Sequence, residues 1–150
     1  MTERVDFYVL KSTAPKERRT FACRLAEKAY LRNMSVVILG ASAEEAKAMD
    51  ELLWTFSDGS FVPHRYLEGA QPEAVPEPVR LTADLEGAGG ADLLVNLSDR
   101  LPLDLARYAR IAEIIDADPE RRRLGRERFK SYRERKLALE THQLDDAAHL

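Results

Sequence analysis

The sequence has 150 residues, of which 45% are hydrophobic and 33% charged, a balance typical of a folded globular domain with a buried core. It contains no apolar run of membrane-spanning length, its first residues do not resemble a secretion signal, and its only cysteine, Cys23, excludes an internal disulfide and fits a reducing cytoplasm. The net charge of −3 is unevenly distributed, because residues 119–137 contain nine of the 23 Lys/Arg and only three of the 26 Asp/Glu. A basic segment on an acidic body indicates charged partners.

Two strand–helix pairs are predicted in the first third of the chain. Residues 5–10 and 35–40 are apolar runs with β-branched and aromatic side chains, typical of strands buried on both faces. An amphipathic helix is predicted at 16–33, and a second begins after Ser42, which forms a capping box with Glu45. This alternation indicates a parallel sheet built from strand–helix–strand units.

Three further strands are predicted, at residues 79–82, 91–97 and 110–116. Residues 71–78 contain three prolines and are expected to form an extended loop. Strands 5–10, 35–40 and 91–97 should be neighbours in the centre of the sheet, because each is apolar on both faces. The sequence thus predicts a three-layer Rossmann-like α/β domain, with a mostly parallel central sheet and helices on both faces. We expect one domain over residues 1–139 and a frayed tail over 140–150.

Residues 52–65, LLWTFSDGSFVPHR, join a predicted helix to an extended segment and include the only tryptophan. Pro63 has no N–H to donate, so this segment is an edge strand or an extended loop rather than a central strand. Trp54 and Phe61 would then lie near a sheet edge, where exposed apolar groups often mark a partner site. The alternative is that both rings close the bottom of the core.

No group of residues has the spacing of a catalytic or metal site. The glycines before strand 91–97 precede a strand, whereas a phosphate loop lies between a strand and the following helix, so they indicate a turn. His64 follows a proline and is interpreted as a structural or exposed histidine, and no His/Cys set has zinc spacing. Ser98 and Asp99 suit either a ligand-binding corner or a helix cap. We therefore expect no catalysis, no cofactor and no metal.

The last predicted helix begins at Asp118 and Pro119, a strong start signal, and runs to about residue 139. At 100° per residue, four side chains fall within about 60° of one another: Arg122, Arg126, Phe129 and Arg133. Gly125 lies beside this stripe, where it would let a ligand approach the backbone. Three interpretations stay open: a solvated face, a surface for nucleic-acid phosphates, and a site for an acidic peptide with an apolar end.

Three blocks of sequence together resemble the chi subunit family of bacterial DNA polymerase III. They are VDFYVL at residues 5–10, DELLW at 50–54 with SFVPH at 60–64, and RERFKSYR at 126–133. Their order and spacing are similar to the family over residues 4–135, although 67–90 has no recognisable counterpart. None of the blocks is a catalytic signature.

The resemblance implies a non-catalytic bridging subunit of the replicative polymerase, cytoplasmic and nucleoid-associated in a bacterium. It implies two partners: the psi subunit of the clamp-loader complex, and the acidic C-terminal tail of single-stranded DNA-binding protein, which ends in Pro-Phe. The tail site would comprise Arg122, Arg126, Phe129, Lys130 and Arg133, with Arg126 as the main basic contact. The psi site would comprise Trp54, Phe61 and Pro63.

Two departures from the family pattern concern the tail site. The interval between Asp116 and Arg126 is a few residues shorter, and an apolar residue of the family is replaced around Ala117 and Asp118, where an acid would repel the tail. The resemblance implies weak or absent direct DNA binding and no membrane association. The alternative is a direct single-stranded nucleic-acid-binding module that uses the basic helix, and a third, weaker one is a nucleotide-using enzyme.

Overall fold

The computed structural model describes residues 2–69, 76–102 and 104–144, which form one seven-stranded parallel sheet with helices on both faces. The strands are β1 (Arg4–Leu10), β2 (Val36–Leu39), β3 (His64–Tyr66), β4 (Val79–Thr82), β5 (Ala91–Asn96), β6 (Tyr108–Ile115) and β7 (Ala138–Leu144). The helices are α1 (Pro15–Leu31), α2 (Ala43–Thr55) and α3 (Pro119–Glu134). None of these helices, within the described residues, is long and apolar enough to cross a membrane.

The strand order β3-β4-β2-β5-β6-β1-β7 confirms the predicted Rossmann-like α/β architecture. The three apolar strands β1, β2 and β5 all lie inside the sheet, as predicted. Only β2 and β5 are direct neighbours, because β6 lies between β5 and β1. The predicted strand at 110–116 corresponds to β6, which lies in the centre of the sheet.

The two faces of the sheet have separate hydrophobic cores. On one face α1 and α2 pack through residues such as Phe21 and Met49. On the other face α3 packs through Phe129 and Tyr132 against Phe7 of β1. Because successive strand residues point to opposite faces, each central strand is mostly apolar on both of its faces.

Both predicted helix starts are confirmed at atomic detail. The Ser42 side chain accepts a hydrogen bond from the Glu45 backbone N–H, which caps α2. The Asp118 carboxylate accepts the Arg121 backbone N–H at 2.8 Å, with Pro119 in the first turn of α3. These caps fix where α2 and α3 leave the carboxyl end of the sheet.

The prediction for the C-terminal end is wrong. The last helix ends at Glu134 rather than at 139, and residues 138–144 form the edge strand β7, parallel to β1, instead of a frayed tail. Backbone hydrogen bonds to β1 stabilise this strand, and its half-exposed, partly polar sequence hides it from pattern analysis. Residues 145–150 of the expected tail lie outside the described residues.

A buried carboxylate on β1 connects the edge strand β7 to β1 and to β6, on the other side of β1. Asp6 of β1 accepts hydrogen bonds from His142 of β7 at 3.0 Å, from Arg4 at 3.1 Å and from Arg110 of β6 at 3.2 Å. The His142 ring also stacks on Tyr8, with ring centroids 4.8 Å apart. Burial alone would raise the pKa of Asp6, but the hydrogen bonds from His142, Arg4 and Arg110 together hold it below its usual range.

We expect Asp6→Asn to lower the free energy of unfolding by about 1.5–3 kcal/mol at pH 7, the usual contribution of hydrogen bonds to a charged group. Since the pKa of Asp6 is lower in the folded chain than its unfolded value of about 3.9, the ionised cluster stabilises the fold above that pH, and the contribution is lost as the pH falls. Urea unfolding between pH 3 and pH 7 tests this. The exposed Asp58→Asn variant is the control, and equal pH dependence of the two variants would contradict the prediction.

Candidate partner-binding surfaces

The outer face of α3 carries four exposed cations, three of which have unpaired side chains. The side chains of Arg126, Lys130 and Arg133 are exposed, and no hydrogen bond or ion pair joins them to another described residue. Their spacing of four and three residues places them along one side of the helix. Arg123, by contrast, is paired with Glu120 and Glu127. The three unpaired cations are therefore available to an anionic partner.

Arg122 has a structural role in this chain. Its Nε donates to the Asp116 carbonyl at 3.1 Å and its Nη2 donates to the Leu10 carbonyl at 3.2 Å. It thereby ties the start of α3 to the carboxyl ends of β1 and β6. Its predicted contact with a tail peptide stays a prediction.

Phe129 is half-buried rather than fully displayed. Its ring packs edge-on against Phe7, with centroids 5.2 Å apart. Part of the ring therefore contacts the core, and the rest is exposed beside the basic side chains of α3. The interpretation of Gly125 is wrong, since this residue is buried against the sheet. A Cβ on Gly125 would lie 2.3 Å from Cδ1 of Ile115, so the glycine serves close helix–sheet packing and not a ligand.

The acids before α3 are engaged in hydrogen bonds. Asp118 caps the helix, which explains the acid at a position where the family resemblance suggests an apolar residue. Asp116 is buried, and its Oδ1 accepts from Arg121 Nε and from the Asp118 N–H, both at 3.1 Å. Its Oδ2 has no hydrogen-bond partner among the described residues. The carboxylate of Asp118 nevertheless leaves a negative charge beside the basic face.

A buried ion pair beneath α3 was not predicted from the sequence. Arg128 donates through Nε to Glu113 Oε1 at 3.1 Å and through Nη1 to the Asp99 carbonyl at 3.0 Å. Tyr132 donates to Glu113 Oε2 at 2.6 Å, and Asn96 donates to the same oxygen at 3.0 Å. Burial and the neighbouring carboxylate raise the pKa of Tyr132, so its hydroxyl stays a donor. The signal in the sequence was Glu113 within the otherwise apolar strand IAEII.

Trp54 and Phe61 form an exposed aromatic pair at the opposite edge of the sheet from β7. Their side chains are 58% and 63% exposed, and their ring centroids lie 5.9 Å apart. The prediction that both rings lie exposed near a sheet edge is confirmed, and the alternative that both rings belong to the core is wrong. Pro63 precedes the short edge strand β3, as its missing N–H predicts.

His64 lies directly beneath this pair. Its ring is 4.6 Å from the Trp54 ring, and its side chain is only 1% exposed. Its Nδ1 lies 2.6 Å from the Val62 carbonyl oxygen and its Nε2 lies 2.9 Å from the Asp50 carbonyl oxygen. Of the two interpretations of this histidine, the structural one is therefore correct. We call Trp54, Phe61, Pro63 and His64 the aromatic surface.

The cysteine and the one cluster of possible metal ligands among the described residues do not form a catalytic or metal site. Cys23 is buried, and burial raises its pKa to about 12, so its thiol stays protonated at neutral pH. Asp6, Glu140 and His142 offer ligand atoms within 4.8 Å of one another. Two guanidinium groups already bind the Asp6 carboxylate there, so adding a cation would place like charges together.

Comparison with known proteins links most of this chain to one family. The family model described as DNA polymerase III chi subunit, HolC, matches residues 1–140. The DNA polymerase III subunit chi of Pseudomonas aeruginosa is 36% identical over 141 residues, which cover 94% of this chain and 96% of that relative. The chi subunit of Haemophilus influenzae is 28% identical over 134 residues, covering 89% and 92%, and that of Escherichia coli is 26% identical over 112 residues, covering 74% and 75%.

Proposed function

This chain belongs to the chi subunit family of DNA polymerase III, and we propose that it is a bridging subunit without catalytic activity of its own. In this proposal the basic face of α3 binds the acidic C-terminal tail of single-stranded DNA-binding protein, and the aromatic surface docks the psi subunit. The observation that carries the proposal is the presence of three exposed, unpaired cations beside a partly exposed phenylalanine ring on α3.

The chemistry of α3 suits an acidic peptide that ends in an apolar residue. Arg126 can form a two-pronged hydrogen bond with the terminal carboxylate, while Lys130 and Arg133 attract further acids of the tail. The free part of the Phe129 ring offers apolar area to the last side chain of the peptide. Because the rest of the chain carries an excess of acids, such a tail would be attracted only to this region.

We expect Arg126→Ala to weaken binding of an acidic peptide ending in Pro-Phe by about ten- to a hundredfold at moderate salt. A charge-assisted hydrogen bond to a carboxylate contributes roughly 1.5–3 kcal/mol. Arg123→Ala is the matched control, because it removes the same charge from the same helix at a site already paired with Glu120 and Glu127. A fluorescence titration of labelled peptide measures both. If both variants lose the same affinity for the peptide, the loss reflects net charge alone, and a specific contact of Arg126 is contradicted.

A second experiment distinguishes the peptide site from a nucleic-acid-binding surface by comparing a peptide with and without its final Phe. A tail pocket loses affinity when the final Phe of the peptide is removed, by about as much as it loses with Arg126→Ala. A phosphate-binding surface instead holds single-stranded oligonucleotide with a steep salt dependence and ignores the terminal Phe. Equal binding of the two peptides, with oligonucleotide bound tightly, would overturn the tail-pocket proposal.

A further inference from the structure

The surroundings of His64 favour one protonation state by geometry. Nδ1 and Nε2 each face a backbone carbonyl oxygen, that of Val62 at 2.6 Å and that of Asp50 at 2.9 Å. A carbonyl oxygen accepts hydrogen bonds and cannot donate, and a neutral imidazole has one N–H only. With neutral His64, one ring nitrogen would therefore direct its lone pair at a carbonyl oxygen inside a buried site. The imidazolium, which has two N–H groups, satisfies both contacts.

One carboxylate lies close to the ring. The Asp50 carboxylate on α2 places Oδ1 3.4 Å from Nε2 of His64. On the sheet side, His64 pairs in register with the apolar Val79 of β4. The nearest basic neighbour in sequence, Arg65, is paired with Glu77 at 2.8 Å. Within the described part of the chain, Asp50 is thus the charged group in ion-pair contact with the ring.

We propose that His64, as an imidazolium, is the positioning residue of the aromatic surface. It joins the last turns of α2 to the segment before β3, which are the two elements that carry Trp54 and Phe61. It also lies 4.6 Å from the Trp54 ring, inside the distance of about 6 Å at which a cation and an aromatic face attract. Loss of one proton removes one of the two carbonyl contacts and the charge beneath the indole.

Raising the pH should therefore loosen the aromatic surface without unfolding the chain. The doubly protonated form is present at low pH and is lost as the pH rises, so the geometry of the pair is best defined on the acidic side. The link to partner docking rests on the proposed function, because it takes the aromatic surface to be the psi site. The protonation and the positioning of Trp54 do not depend on it.

The only tryptophan of the chain gives a direct readout of this surface in the free protein. We expect the intrinsic fluorescence of Trp54 to change in intensity or emission maximum between pH 5.5 and pH 8.5. His64→Gln should remove this transition, because glutamine is neutral throughout the range. His142→Gln is the matched control and should retain it, since His142 lies on β7 at the opposite edge of the sheet.

Asp50→Asn provides a variant in which the histidine remains. It removes the nearby negative charge but keeps both carbonyl contacts of the ring, so the fluorescence transition should remain in this variant. Ring ¹⁵N NMR of the unaltered chain at pH 6 should also show two protonated nitrogens for His64. A transition that persists in His64→Gln, or a neutral ring at pH 6, would overturn the proposal.

A partner measurement separates this inference from the proposed function. With purified psi subunit, His64→Gln should weaken binding about tenfold at pH 6, and the loss should become smaller as the pH is raised to 8.5. If the unaltered chain and Trp54→Ala both fail to bind psi while the fluorescence transition depends on His64, the proposed partner is wrong and the positioning role stands. If psi binds with no effect of pH or of His64→Gln, the positioning role is wrong and the docking site stands.

Discussion

Arg128→Ala should lower the free energy of unfolding by about 3–5 kcal/mol, the usual cost of removing one partner of a buried ion pair. The Glu113 side chain has no exposed area and that of Arg128 has 5%. Without the guanidinium, the Glu113 carboxylate keeps only the Tyr132 hydroxyl and the Asn96 amide as donors, and its charge lies buried without a counter-charge. The Asp99 carbonyl also loses its donor, which releases the loop after β5 from α3.

Urea unfolding at pH 7, followed by circular dichroism, measures this loss. Arg126→Ala is the matched control, because it removes the same side chain two residues earlier from an exposed position and should change stability by no more than about 0.5 kcal/mol. Combining Arg128→Met with Glu113→Gln removes both charges and should recover part of the loss, since no unpaired carboxylate is then buried. Equal stability of Arg128→Ala and Arg126→Ala would show that the buried pair does not hold α3.

This ion pair bears on how the tail site is tested. Arg128 and Arg126 are both basic residues of the RERFK block, yet one faces the core and the other faces solvent. A variant at Arg128 would lose peptide binding because α3 is displaced, not because a contact with the peptide is lost. Variants at Arg126 and Lys130 leave the helix in place, so their effects on affinity report the binding surface itself.

The elements that were predicted correctly are those with strong local signals. A strand apolar on both faces has few alternatives in an α/β chain, so β1, β2 and β5 followed from their sequences. The caps at Ser42 and Asp118 involve residues three apart and needed no tertiary information. The position of Trp54 and Phe61 near a sheet edge followed from Pro63, because a residue without an N–H indicated that edge, but the sequence left open whether the rings are exposed or part of the core.

What sequence analysis missed depends on contacts between distant parts of the chain. Strand β7 exists because β1 offers a free edge 134 residues earlier, and its polar side chains are explained by partners such as Asp6. A helical projection placed Arg122 with Arg126 on one stripe, but it cannot show that Arg122 reaches the carbonyls of Leu10 and Asp116. The contacts of His64 could not be predicted either, because its two acceptors are backbone carbonyl oxygens, which every residue has.

Trp54→Ala should abolish docking of the psi subunit at micromolar concentrations. Aromatic anchors often contribute about 2 kcal/mol or more to an interface, which corresponds to at least about thirtyfold in affinity. Trp54 and Phe61 are large, adjacent and more than half exposed in the free chain, so the apolar area that a partner would bury is available without rearrangement. Phe61→Ala should act in the same direction, because it removes the neighbouring ring of the same pair.

The control for this experiment is the other proposed surface. Trp54 is on α2 and Arg126 is on α3, which pack on opposite faces of the sheet. Trp54→Ala should therefore leave binding of the acidic peptide within about twofold of the unaltered chain, and Arg126→Ala should leave psi binding equally unaffected, as expected for independent sites. Calorimetric titration of each variant with each partner measures all four combinations. A Trp54→Ala chain that remains folded and still binds psi would remove the aromatic surface from the docking site, whereas loss of both partners in one variant would show that the two surfaces are coupled through the sheet.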